Sequence, residues 1–257
     1  MHPSGTSVVV GMNAQGVALT PSGRFAIVTN DDGYQGAATS ALDPLTSGGY
    51  SLAVVDTRTM AVVSRYSDPS EAFFAGILAL PDPLDPANTL VLASGGSSNA
   101  VYAFDLDASG ALTRDAHHTI SIPGQSDPRF AASGRSFPST LVPARTGTRV
   151  YVVDNLGNDV AQLDTTTRAI AGAPVPVGYF PLGAASSSDG LLVANQGLMA
   201  YLLATMPMPA PPFDTVPADL ARASSLSFIP VNVDGSLGPA VASDLPLDRT
   251  QTPYFTA

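Results

Sequence analysis
The chain has 257 residues, is 45% hydrophobic and only 12% charged, and holds 23 Gly and 23 Pro. That is ample apolar mass for one packed domain, with short strands joined by many turns. It has no Cys, which excludes disulfides and thiolate metal sites; its formal net charge is −10 with Arg as its only strong base, which argues against nucleic acid and anionic lipid as partners. Four units of short apolar strands follow one another. The first has Val17–Thr20, a Pro-Ser-Gly turn, Phe25–Asn30, Ser51–Asp56 and Met60–Val63. The second has Gly76–Leu80, Thr89–Ser94, Val101–Asp105 and Thr119–Ile122. The third has Thr140–Val142, Arg149–Asn155, Val160–Asp164 and Ile170–Val177. The fourth has Leu182–Ala185, Leu191–Asn195, Leu226–Asn232 and Val241–Leu245. No stretch reaches the roughly 18–20 apolar residues of a membrane span, and Met1-His2-Pro3-Ser4 opens no signal peptide.

One four-stranded meander cannot bury both faces of its sheet, and stacking such units around an axis solves that problem. The fold expected is therefore all-β, a β-propeller of four-stranded antiparallel blades, in one domain over 1–257. The blades fall at about 12–67, 73–123, 137–178 and 180–248. Residues 5–11, with Val8-Val9-Val10, read as a closing strand, and 249–257 as the start of a further blade. The Asp-Thr-x-Thr turns after Asp56 and Asp164 have a local cause, since an Asp side chain caps the backbone two residues on.

The units resemble the YVTN family of β-propeller repeats. The likeness lies in Val-Ala-Leu-Thr-Pro-Ser-Gly-Arg at 17–24 with Ile-Val-Thr-Asn at 27–30, in Val-Tyr-Val-Val-Asp-Asn at 150–155 with Gln-Leu-Asp-Thr at 162–165, and in Leu-Val-Ala-Asn at 192–195. The resemblance implies part of a seven-bladed ring and a periplasmic, cell-surface or secreted location. It also implies distant kinship with lactonase-like enzymes and with propellers fused to a phosphoesterase. About four blades are visible, so the chain reads as a fragment, a smaller ring or half of a two-chain assembly.

A propeller's top face collects the connections between second and third strands and between blades, and binding loops gather where a rigid scaffold presents them. The long segments Asp31–Gly49, Gln196–Ser224 and Pro123–Ser136 all belong to that face. Asp31, Asp32 and Tyr34 there suit Ca²⁺ or a polar ligand, or else a solvated Asp-Gly turn. Asp154-Asn155 and Asn158-Asp159 flank Leu156-Gly157 and suit a cation or a plain Asx-rich hairpin. Arg129 suits an anion or a neighbouring carbonyl, and Asn195 ends a second strand at the same rim. Met206–Phe213 is a Pro-rich arm or spacer. His117 and His118 read as a bottom connection, too poorly placed to share a metal. No Gly-x-Ser-x-Gly elbow and no phosphate loop occurs. No cofactor is expected apart from Ca²⁺. The expected function is a non-catalytic scaffold binding a protein or small polar ligand on the top face, with self-association or a C-terminal domain as further partners. The alternative is a hydrolase-associated propeller, lactonase-like or part of a phosphoesterase fusion.

Overall fold
The computed structural model describes residues 5–31, 50–124, 136–187, 189–197 and 225–243. Its strands form four separate antiparallel sheets in chain order. Blade 1 is β1 (Ala14–Leu19), β2 (Phe25–Asn30), β3 (Ser51–Asp56) and β4 (Ala61–Ser67). Blade 2 is β5 (Ile77–Pro81), β6 (Thr89–Ser94), β7 (Ala100–Leu106) and β8 (Leu112–Ser121). Blade 3 is β9 (Pro138–Pro143), β10 (Arg149–Asp154) and β11 (Asp159–Asp164), with β12 (Ala169–Ile170) and β13 (Val175–Pro176) both on β11. Blade 4 is β14 (Pro181–Ser186), β15 (Gly190–Asn195), β16 (Ser225–Pro230) and β17 (Val241–Ser243). The only helical feature among the described residues is a 3₁₀ turn at Gly96–Ser98, and no described helix is long and apolar enough to cross a membrane.

The apolar residues of each strand pair off towards one neighbouring blade or the other, as period-two side chains must. Phe25, Ile27, Leu52 and Val54 of blade 1 pack on Phe73, Val91, Tyr102 and Phe104. The opposite face of blade 2, with Leu90, Leu92, Val101 and Ala103, packs on Leu141, Val150, Val152 and Leu163 of blade 3. Tyr151, Val153 and Val160 then meet Leu191, Val193 and Ile229 of blade 4. Three inter-blade cores thus replace one central core, which is the propeller solution to burying both faces of a small sheet.

The strand direction fixes the two rims. β1 runs down and β2 up, so the ends of β2, β6, β10 and β15 and the starts of β3, β7, β11 and β16 share the top rim. The bottom turns behave as the sequence implies. Asp56 Oδ1 accepts the Arg58 N–H at 2.9 Å and Asp164 Oδ1 accepts the Thr166 N–H at 2.8 Å. Met60 and Arg168 close those turns with φ of +52° and +51°.

Two expectations are corrected. His117 and His118 lie inside β8 rather than in a connection, because β8 starts at Leu112 directly after the Asp107–Gly110 turn. As an outer strand β8 keeps one face solvated, which explains its polar, loop-like sequence. The fourth strand of blade 3 is two short pieces rather than one run, because Gly172, at φ +73°, and Pro174 interrupt it. Val8-Val9-Val10 joins no described strand. It lies on blade 1, where the Arg65 guanidinium donates to the Val9 and Val10 carbonyls and Asn30 Nδ2 donates to Val10 O.

Candidate functional site
The top rim repeats one construction, and the exception to it is the candidate site. Where the second strand ends, its last residue faces the first residue of the third strand. In blade 1 the pair is Asn30 and Ser51, with Asn30 Nδ2 donating to Ser51 Oγ at 3.2 Å. In blade 4 it is Asn195 and Ser225, with Asn195 Nδ2 donating to Ser225 Oγ at 3.1 Å and to Ser227 Oγ at 2.9 Å. In blade 2, where β6 ends one residue earlier with Ser94 facing Val101, the equivalent pair is Gly95 and Ala100, joined by a bond from the Gly95 N–H to Ala100 O. In blade 3 the pair is Asp154 and Asp159.

Both carboxylates are buried, Asp154 with 0% and Asp159 with 7% of its surface exposed. Asp154 Oδ1 accepts the N–H of Phe137 at 2.5 Å and of Gly157 at 3.0 Å. Gly157 is required there, since a Cβ at that position would overlap the Asp154 carboxylate. Asp154 Oδ2, Asp159 Oδ1 and the buried Ser136 Oγ have no hydrogen-bond partner of normal geometry among the described residues. No described Arg or His forms an ion pair with either Asp. Burial pushes Asp154 up to about 6, against the backbone donors and the nearby Ser136 hydroxyl that pull it down. Burial and then the charge of Asp154 push Asp159 up to about 7. Two carboxyls so placed titrate as a pair, and near neutrality one proton or one cation must sit with them.

The hairpin that carries the pair is itself anchored. Asn155 Nδ2 donates to Pro181 O at 2.9 Å, and Asn158 Oδ1 accepts the Phe180 N–H at 2.8 Å. Both Asn side chains therefore hold the segment that leads into blade 4. Of the other residues singled out in the sequence, Asn195 is buried in its Ser225–Ser227 contacts, and the Asp31 N–H donates to Asn13 O at 3.1 Å. Asp32, Tyr34, Arg129 and the Met206–Phe213 stretch lie outside the described residues.

Two further charged clusters are invisible in the sequence because blade packing assembles them. At the bottom rim, carboxylate oxygens of Asp82, Asp105 and Asp115 lie within 4.8 Å of one another, an arrangement a metal ion could use. The buried Arg168 of blade 3 already fills it. Its guanidinium donates to both oxygens of Asp82 at 2.8 Å and to Asp115 Oδ2 at 3.1 Å. Burial, followed by the charges of Asp115 and Asp82, raises Asp105. At the seam of blades 1 and 2, Arg114 donates to Tyr66 Oη at 2.6 Å, Asp68 at 2.5 Å and Glu71 Oε1 at 2.9 Å. His118 Nδ1 is 2.8 Å from Ala103 O and Nε2 is 2.9 Å from Glu71 Oε1. A carbonyl only accepts, so Nδ1 is the donor of that contact. The ring stacks on Tyr102 at 5.3 Å and meets the edge of Phe104 at 4.7 Å. Both clusters join blades and are satisfied internally.

No family model and no curated protein matches the chain. Solved structures do, and they are β-propeller proteins. A protein from Lactobacillus plantarum shares 14% identity at a TM-score of 0.58, over 96% of this chain and 60% of its own. The periplasmic gluconolactonase of Pseudomonas aeruginosa shares 15% at 0.56, over 92% and 59%. The virginiamycin B lyase of Staphylococcus aureus shares 11% at 0.53, over 91% and 56%. The chain thus has the β-propeller fold and spans a little over half the length of these neighbours.

Proposed function
We propose that the chain supplies blades of a YVTN-type propeller that works outside the cytoplasm as a non-catalytic binding module, with its ligand on the top face. The observation that carries this reading is the Asp154–Asp159 pair, a buried double carboxylate at the top rim with no cationic side chain against it among the described residues. At the bottom rim, by contrast, Asp82 and Asp115 pair with Arg168. The strand ends Asn30, Ser51, Asn195 and Ser225, between which the two long connections run in sequence, belong to that same rim. The compartment follows from the YVTN resemblance alone. Further blades or a second copy would cover the apolar surface left open on blades 1 and 4.

A second reading has one observation in its favour. A carboxyl pair titrating near neutrality suits general acid–base chemistry, and two of the fold neighbours are named as a gluconolactonase and a lyase. Hydrolysis of glucono-lactone by the purified chain separates the readings. The binding-module reading expects no rate above buffer. Turnover that disappears in the D154N/D159S variant would replace it with the hydrolase.

A further inference from the structure
The three polar strand-end pairs differ in one chemical respect that names a ligand. Asn30–Ser51 and Asn195–Ser225 are neutral, and in each the amide donates to the hydroxyl. Asp154 and Asp159 occupy the same register, and as carboxylates neither can donate to the other. Removing two like charges from water without a bridging positive group is among the most unfavourable arrangements a protein interior offers. Buried oxygens without a partner occur in all three pairs, Asn30 Oδ1 and Asn195 Oδ1 included, but only in blade 3 do they belong to carboxylates. Asp154 Oδ1 is held by two backbone N–H groups, which fixes Oδ2 on the side away from them. Asp159 Oδ1 is unpartnered opposite, and the buried Ser136 hydroxyl, which leans on the Asp154 carboxylate without a bond of normal geometry, sits one residue before the Phe137 N–H that grips Asp154.

We propose that Asp154 Oδ2, Asp159 Oδ1 and Ser136 Oγ bind a single Ca²⁺ ion at the top of blade 3. The donors are all oxygen, which suits a hard cation and not zinc. Two carboxylates match the charge of a divalent ion, and a short hairpin with water completing the shell suits the adaptable coordination of Ca²⁺ better than the strict octahedron of Mg²⁺. The ion replaces the shared proton. It also braces the β10–β11 hairpin, whose Asn155 and Asn158 hold the lead-in to blade 4. In the Asp82–Asp105–Asp115 cluster Arg168 already pairs with Asp82 and Asp115 and occupies the position an ion would take. The inference deepens the reading of this rim as a binding face.

The test uses the full chain stripped with EDTA, titrated with CaCl₂ by calorimetry and followed by thermal unfolding. The comparison protein is D154N/D159S, which copies the neutral pair of blades 1 and 4. Saturating CaCl₂ should raise the melting temperature of the original chain by roughly 5 °C at about a hundred times Kd and leave the double variant unmoved. No binding heat and no shift in the original chain, or an equal shift in the variant, overturns the site. Should the double variant not fold, Asp159→Asn alone decides: Ca²⁺ binding at least about tenfold weaker supports the site, in line with the loss of one of two charged ligands, and unchanged affinity refutes it. Lactone turnover is read separately, so a chain that binds Ca²⁺ and also hydrolyses lactone would lose the scaffold reading and keep the ion.

Discussion
Ile27, Leu92, Tyr151 and Leu192 stand at one position of the repeat, three residues before the end pair of each second strand. The first three are fully buried; Leu192 is 42% exposed. The same contrast appears on the first strands. Ile77 and Leu141 are buried, while Val17, at the corresponding place in blade 1, is 67% exposed. The inner blades read as hydrophobic on both sheet faces because both faces meet another blade. The end blades carry the same sequence pattern without the second neighbour. Pattern in a repeat therefore reports what a blade is built to touch, and exposure reports what it does touch.

Substitutions can break or sharpen that contrast. The largest loss should come from Arg168→Ala, which leaves Asp82 and Asp115 buried without their counter-charge at the seam of blades 2 and 3. About 3–5 kcal/mol is expected in urea unfolding. Arg58→Ala, whose partner Asp56 sits on the outer blade and whose side chain is 68% exposed, should change little. Next, Leu92→Ala should cost about 2–5 kcal/mol as a cavity in a closed core.

An intermediate effect belongs to the Asp154–Asp159 pair in the presence of EDTA. Both carboxyls are raised in the fold, to about 6 and about 7 from 3.8. The folded chain thus holds more protons than the unfolded one between those values. The pair's contribution to stability is therefore full below about pH 3.8, is lost as pH rises from there through 6 and 7, and levels above. A loss of several kcal/mol is expected over that window, since each tenfold gain in proton affinity is worth about 1.4 kcal/mol and both carboxyls of the coupled pair are raised. D154N/D159S should flatten the profile; an unchanged slope would assign it elsewhere. The smallest effect should be that of Leu192→Ala, within about 0.5 kcal/mol for an open surface. A loss matching that of Leu92→Ala would show that this face is covered in solution.

The blades were legible because the signal is local. Period-two apolar strands, Ser-Gly hairpins and the Asp-Thr-x-Thr turn are each set within a few residues, and all reappear in the structure. The site was half legible. The spacing of Asp154 and Asp159 across a short hairpin announced a cation or an Asx turn, and the structure shows the hydrogen bonds of the turn. Asp154 Oδ1, Asn155 and Asn158 do the fastening, and the other carboxylate oxygens are left over. What no local pattern could show is pairing across blades. Arg168 meets Asp82 from 86 residues away, and Glu71 meets His118 from 47. His118 looked like part of a polar connection because an outer strand may be polar on one side.

The two outer seams also carry built-in optical gauges. Burial, aided by Glu71, pushes the Tyr66 phenol up to about 12 even though Arg114 donates to it. Tyr151 is likewise raised by burial, and then by Asp234, while its hydroxyl donates to Gly235 O at 3.0 Å across the seam of blades 3 and 4. The chain has no Trp to mask them. The ultraviolet absorbance of phenolate, followed up an alkaline titration, would thus show when blade 1 parts from blade 2 and blade 4 from blade 3, with no label attached.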